Sequence, residues 1–457
     1  MIWQFIDNAV DRLSPTNLSR IYHLTPPWLM GRIRLSRFQT TVRWAAEHSP
    51  FYKEAFAARG IDAAAIKCPT DLKDFFTTPD DIIADPEKFL CKAPAIVFES
   101  SGTSGRNKKI FYDNAELEQM GQIMAAGTML MGAGLEDRVA NAFDFSMWIP
   151  GMLTHYALMA GGQFCMAFGK VDPIEVYRRL ETYRFNVVMG EPTWLIRLTE
   201  IAERQGSFPL KLLLGGAEEM PPNAIPWMRD VWQGASVRMC YGSVELGSAL
   251  GYQPCDQIDG YHIDDTDFLP ELLDPDADGF GELAYTTLRR RVMPLIRYRS
   301  RDVTRLIDTP CPCGIPGMRM DRLRGRRDEL IVASGGNLYP LMFESIFKAI
   351  PSLTGDWQII FRLEGIREVL EMNVETTRTD IETLEQEIHR CCNALYPDLM
   401  KNLALGIFQM RLVVHAPGTI RTGRKIKRML DLRYTKPVSP LLADASHQSP
   451  AEVEHVV

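Results

Sequence analysis

The sequence predicts an α/β protein: a large N-terminal domain of sheets flanked by helices, followed by a small α+β lid domain. Three observations carry this prediction. From about residue 95 to 300, short apolar runs alternate with helical stretches, as in parallel-sheet units. Beyond that stretch the pattern becomes strand, strand, helix, strand, which suits a separate small unit. At 457 residues, 46% of them hydrophobic and 24% charged, the chain is too long for one small domain and has the composition of a soluble protein with a core.

The elements follow in order. MIWQFIDNAVDRLSPTNLSRIYHL at the N-terminus carries charges inside its apolar run, so it reads as an amphipathic helix rather than a signal peptide. Helices punctuated by Pro and Asp continue to about residue 90. Ile96-Val97-Phe98, residues 186–190 and Leu212-Leu213-Leu214 read as buried strands, the last running into Gly215-Gly216. The turn-rich DPDADGFG, Asp274 to Gly281, opens a run of shorter strands. A second unit begins near Gly325-Arg326-Arg327-Asp328, with a helix over 341–350 and strands over 358–363 and 369–374. Thr379 and Glu382 form a capping-box signature before an apolar stripe of Ile381, Leu384, Ile388, Cys391 and Leu395. Residues 406–415 make another strand, and the polar tail 439–457 is expected to be disordered.

No apolar segment approaches the roughly 20 residues that span a bilayer, so a cytoplasmic protein without a membrane partner is expected. The net charge of −7, with no basic arm, argues against nucleic acid. Nine cysteines in a chain of this length do not make a disulfide framework, and most are expected to be small buried apolar residues. Cys311-Pro312-Cys313-Gly314 is different, because two thiolates at that spacing suit a metal, though tetrahedral zinc needs four ligands.

The loop Ser100-Ser101-Gly102-Thr103-Ser104-Gly105 lies between Ile96-Val97-Phe98 and a second strand candidate, Ile110-Phe111-Tyr112. It lacks the Walker A spacing. Its glycines still permit close backbone approach, its amides can form an anion-binding concavity, and Lys108 and Lys109 follow. Taken alone it is equally a mobile hairpin tip. Further segments follow in order: YGSVELG at 241–247, IRYRSRD at 296–302, GRRDE at 325–329, SGGNLYP at 334–340 and GTIRTGRKIKR at 418–428.

This ordered set resembles the adenylate-forming superfamily of acyl-CoA synthetases, peptide-synthetase adenylation domains and luciferases, and is most similar to its phenylacetate-CoA ligase branch. The resemblance covers about residues 95 to 433. It implies domains at 1–325 and 326–438, joined by a hinge at Asp328 about which the lid rotates between two half-reactions. It implies that Ser100 to Gly105 wrap the ATP phosphates, with Thr103 and Ser104 as donors. Gly215, Gly216, Ala217 and Glu218 would lie against adenine, and Tyr241, Gly242 and Ser243 would line the nucleotide and acyl sites. Asp302 would accept from the ribose hydroxyls, Arg326 would approach ribose and phosphate, and Glu245 would hold Mg²⁺, a hard cation suited to carboxylate oxygen. Lys425 is the lysine for the developing acyl-phosphate charge, with Lys427 as the alternative. The family's glycine before that lysine is replaced by Arg424.

The resemblance also joins Cys255 and His262 to Cys311 and Cys313 as a structural zinc set. The acyl pocket would involve Phe145, Trp148, His155, Gly190, Pro192 and Tyr241, with Phe143, Tyr156 and Trp194 nearby, and an aryl or arylacetic acid as substrate. The implied reaction is attack of the carboxylate on ATP to give an acyl-adenylate and pyrophosphate, then transfer to a thiol, with coenzyme A as the default acceptor. Transfer to an amine or a carrier-protein thiol is the alternative, as is a non-catalytic nucleotide-binding relative. A monomer or homodimer is expected.

Overall fold

The computed structural model describes residues 13–100, 107–221, 223–256, 260–327, 330–334, 336–353, 356–421, 426–433 and 454–456. Its centre is a mixed sheet ordered Leu306–Ile307, Arg319–Asp321, Gly260–Ile263, Ala249–Tyr252, Ser236–Gly242, Leu212–Gly215, Val187–Gly190, Arg138–Asn141 and Phe164–Ala167. The last five run parallel, and the others pair antiparallel. Helices cover the parallel half, which explains why Val187–Gly190 and Leu212–Gly215 are buried along their whole length and read as unbroken apolar runs.

Proline places many of the helix starts. Pro15, Pro27, Pro50, Pro79, Pro173, Pro192, Pro340 and Pro397 each open a helix, where the missing N–H costs no hydrogen bond and the fixed φ is already helical. A second antiparallel sheet, Phe268–Leu273, Gly281–Thr287 and Tyr298–Thr304, packs into the same large core. The strands Ile96–Ser100 and Lys108–Tyr112 pair with Ser100 opposite Lys108.

The lid has its own core, in which Phe343, Ile346, Ile359, Phe361, Leu370, Met372, Leu384 and Ile388 pack together. Its sheet runs Met429–Asp431, Trp357–Glu364, Arg367–Glu375, Gln409–His415 and Glu454–Val456, with helices Pro340–Lys348, Ile381–Leu395 and Pro397–Ala404 on it. Two expectations change here. The cap of helix Ile381–Leu395 is Asp380, not Thr379, and no side chain closes it, because Arg378 takes both Asp380 oxygens at 2.9 and 2.5 Å. Within the tail expected to be disordered, Glu454–Val456 instead adds an edge strand to Gln409–His415, a ladder edge that can accept another strand. Among the described residues, no helix is long and apolar enough to cross a membrane.

Candidate functional site

In open parallel sheets, ligands gather where the strands end at their carboxyl termini. Gly190 and Gly215 are register partners at that edge, followed by Glu191-Pro192 and by Gly216-Ala217-Glu218. The glycines leave room for closely packed sulfur. A Cβ on Gly215 would meet Met239 Sδ at 2.6 Å, and one on Gly216 would meet Cys240 Sγ at 2.8 Å. Ala217 holds φ +72°, a left-handed conformation that costs a residue with a Cβ and often marks a site. Glu218 turns back to the preceding helix, Pro192–Gln205, and accepts from the Thr193 amide at 3.2 Å and hydroxyl at 2.7 Å.

Tyr241 ends the adjacent strand and joins two residues distant in sequence. Its phenol donates to Asp302 Oδ2 at 2.5 Å, and Arg326 Nη1 lies 2.7 Å from Asp302 Oδ1. Burial, then the Asp302 charge, push the Tyr241 phenol well above its ordinary value, so it remains a donor. The carboxylate expected at the ribose is thus oriented by one neutral and one charged donor. Ser243 Oγ lies 3.2 Å from Tyr285 Oη.

Glu245 is 4% exposed, and its Oε1 meets Lys108 Nζ at 2.5 Å, Ser100 Oγ at 3.1 Å and Tyr298 Oη at 3.2 Å. Burial alone would raise its pKa. The Lys108 charge and hydrogen bond outweigh burial and hold it down at about 2. Ser100 and Lys108 flank the glycine-rich loop on facing strands, so both visible ends of that loop converge on Glu245. Ser101, Gly102, Thr103, Ser104 and Gly105 themselves lie outside the described residues, as do Asp328 and Lys425. Lys427 is described. Its carbonyl accepts from Gln358 at 2.9 Å and its side chain is exposed.

The expected acyl residues divide. Trp194 and Met189 are core, with the Trp194 indole donating to the Val171 carbonyl at 2.8 Å, and Phe143 is buried with Met189 in a small core cluster. Phe145, Trp148 and His155 keep partial exposure around the start of helix Ile149–Gly161, and the Phe145 and His155 rings sit edge to face at 6.2 Å. Between these groups and Glu218 lies a buried ion pair that composition did not suggest. Lys170 Nζ is 3.0 Å from Glu191 Oε2. Burial raises Glu191 to about 7, against the opposing pull of Lys170. Lys108 stood beside the glycine-rich loop and Tyr298 within the 296–302 segment, but neither was read as a partner of Glu245, and Lys170 and Glu191 belonged to no motif.

Away from this edge, Cys255, His262, Cys311 and Cys313 place their ligand atoms within 4.8 Å of one another. Cys255 and Cys311 sulfurs are 3.8 Å apart, and Cys313 Sγ lies 3.5 Å from His262 Nε2. A tetrahedral site with bonds of about 2.3 Å to sulfur and 2.0–2.1 Å to nitrogen has edges of roughly 3.5–3.8 Å, so the set fits zinc.

The fold and site define a nucleotide-dependent activating enzyme. The chain belongs to the AMP-binding enzyme family, whose domain matches residues 50–266 and whose C-terminal domain matches residues 335–433. It is 27% identical over 433 residues to a phenylacetate-coenzyme A ligase of Thermus thermophilus, covering 87% of this chain and 95% of the relative. It is also 27% identical over 365 residues to a phenylacetate-coenzyme A ligase of Aromatoleum evansii, covering 75% and 81%. In fold it is similar to a crystal structure of 2-hydroxyisobutyryl-CoA ligase with 2-HIB-AMP and CoA in the thioesterification state. That match has a TM-score of 0.75 at 22% identity and covers 90% of this chain and 91% of the other. The same ligase in its postadenylation state, with 2-HIB-AMP, matches at a TM-score of 0.60 with 22% identity, covering 87% and 88%.

Proposed function

We propose that the protein is an AMP-forming acid–CoA ligase that activates an aryl or arylacetic acid as its acyl-adenylate, releases pyrophosphate, and passes the acyl group to coenzyme A. The observation that carries this reading is the convergence of Tyr241, Asp302 and Arg326 with the Gly215-Gly216-Ala217-Glu218 turn at the carboxyl edge of the sheet. Oriented by its two donors, Asp302 keeps an acceptor arrangement that suits a vicinal diol. Adenine would lie along the glycine turn, where a side chain would clash. The phosphates would be held by the loop from Ser100 to Gly105, with Thr103 and Ser104 donating.

Glu245 and the Ser100 hydroxyl are the groups that would hold Mg²⁺, which neutralises phosphate charge when bound. Lys108 already occupies Glu245 Oε1. With a metal bound at Glu245, the Lys108 ammonium beside it would be a second positive charge near the phosphates, where charge develops. Lys425 is assigned the same task on the acyl side, with Asp328 as the pivot of the lid. Phe145, Trp148, His155, Gly190 and Pro192 would border the acyl group, and partial exposure of the first three supports an aromatic substrate. Zinc at Cys255, His262, Cys311 and Cys313 would be structural, because four protein ligands leave no open position.

The better overlay on the thioesterification state supports reading the lid here as standing in the acyl-transfer position. ATP–pyrophosphate exchange across a panel of aryl, arylacetic and short aliphatic acids tests the first step. Exchange with a few aromatic acids, followed by CoA-dependent thioester formation, is the expected result. Absence of exchange with every acid, from folded protein that binds ATP, would sink the proposal.

A further inference from the structure

The lid meets the large domain at a point that combines charge and apolar packing. The turn at Gly365, Ile366 and Arg367 joins the lid strands Trp357–Glu364 and Arg367–Glu375, and it rests on helix Pro192–Gln205 of the large domain. Arg367 Nε lies 2.8 Å from Glu200 Oε1 and its Nη2 2.6 Å from Glu200 Oε2. Arg197, one turn earlier on the helix, reaches Glu200 Oε2 at 2.9 Å. Asn223 donates to the Gly365 carbonyl at 2.9 Å. Ile407 belongs to the lid but is buried in the core of the large domain, with Ile366 and Leu405 packed beside it.

The residue next to Arg367 connects this contact to a different part of the lid. Glu368 Oε2 accepts from the Ser334 amide at 2.5 Å, and its Oε1 pairs with Arg433. Arg433 also donates to the Val332 carbonyl at 2.8 Å, and Asn402 donates to the Ser334 carbonyl at 3.1 Å. These bonds hold the hairpin formed by Ile331–Ala333 and Gly336–Leu338. Glu368 is also within electrostatic reach of Glu218, on the glycine turn of the large domain. Adjacent residues of one strand therefore grip the large domain and the lid hairpin.

We infer that the Glu200–Arg367 pair is a latch that fixes the lid in the acyl-transfer position and, through Glu368, sets the hairpin 331–338 against the large-domain site, while adenylation does not depend on it. This rests on the ligase reading above. The exposure of the pair suits a reversible contact. Glu200 is 10% and Arg367 29% exposed in their side chains, so the pair is dry enough to hold and wet enough for both charges to rehydrate when the lid turns. Arg367 is a positioning residue and touches no substrate.

The experiment measures the two half-reactions separately in the full-length protein: acid-dependent ATP–pyrophosphate exchange, and thioester formation with coenzyme A. Arg367→Gln, Arg367→Glu, Glu200→Lys and the double reversal Glu200→Lys/Arg367→Glu are compared. Arg367 is partly exposed at the first position of its strand, so its variants remain informative if the helix substitution impairs folding. Exchange within about twofold of the unaltered protein, thioester formation slowed about tenfold by each single change, and recovery to within about threefold in the double reversal are the expected results. Parallel loss in both half-reactions, or unchanged thioester formation in both Arg367 variants, would overturn the latch. An unaltered protein that exchanges with no acid would remove the ligase reading and the latch with it, a pattern distinct from either.

Discussion

Two charged clusters in this molecule are built to opposite ends. Around Glu245, a carboxylate 5% exposed in its side chain meets a lysine 8% exposed, and hydroxyls from Ser100 and Tyr298 complete the shell. Around Glu200, the partner comes from another domain and keeps 29% of its side-chain surface. The first cluster is fully enclosed within one core and holds its geometry before any ligand arrives. The second lies at a boundary where its contacts are few enough to be broken. Groups that must already be in place are sealed in, and groups that must let go are left half wet.

The strongest way to break this contrast is Lys108→Met. It leaves the Glu245 charge buried with hydroxyls alone, and loss of one member of a buried pair costs about 3–5 kcal/mol. The measurement is chemical unfolding at pH 7, where Arg367→Gln should cost under about 1 kcal/mol because its partner keeps Arg197. The sign with pH follows. Glu245 is held at about 2, below its ordinary 4.5, so its contribution is present above 4.5 and is lost as pH falls toward 2. Lys108→Met should remove that acid dependence. Equal costs for the two substitutions would erase the distinction between the clusters.

Cys311→Ala sharpens the comparison in a third place, where loops rather than charges are being held. It should abolish stoichiometric zinc in the purified protein, measured by elemental analysis. It should also lower stability by about 2 kcal/mol, the scale of losing a loop cross-link. Protein that carries no zinc even when unaltered would remove the metal assignment.

The effect per pH unit is smaller at Glu191, a buried carboxylate whose partner Lys170 only partly offsets burial. Its pKa is raised from 4.5 to about 7, so its contribution to stability is fully present below 4.5 and is lost as pH rises through 7. Glu191→Gln should flatten the fall in stability across that window, by less than about 1.4 kcal/mol per pH unit. A slope unchanged by the substitution would place the titration elsewhere.

Some of this was legible along the chain because the signals are local. A run such as Leu212-Leu213-Leu214 ending in Gly215-Gly216 names a buried strand and the turn after it, and a proline at the head of a polar-apolar stretch names a helix start. The pairing of Cys311 with Cys313 is likewise written in their spacing. Resemblance then joined Tyr241, Asp302 and Arg326, and the structure brings the three together. Thr379 misled because a good capping pattern is only a local preference, and the side chain of Asp380 at the cap position pairs with Arg378 instead of capping.

The sequence by itself determined the α/β class, the division into a large unit and a lid, the ordered motifs that carry the family resemblance and the cysteine pair, because each depends on periodicity or on residues within a few positions. Tertiary structure alone decided that Lys108 faces Glu245, that Lys170 faces Glu191, and that Arg367 of the lid grips Glu200. Those partners lie 137, 21 and 167 residues apart. A charge carries no mark of which distant opposite charge it will meet. Burial and strand register choose that partner, and both exist only once the chain has packed.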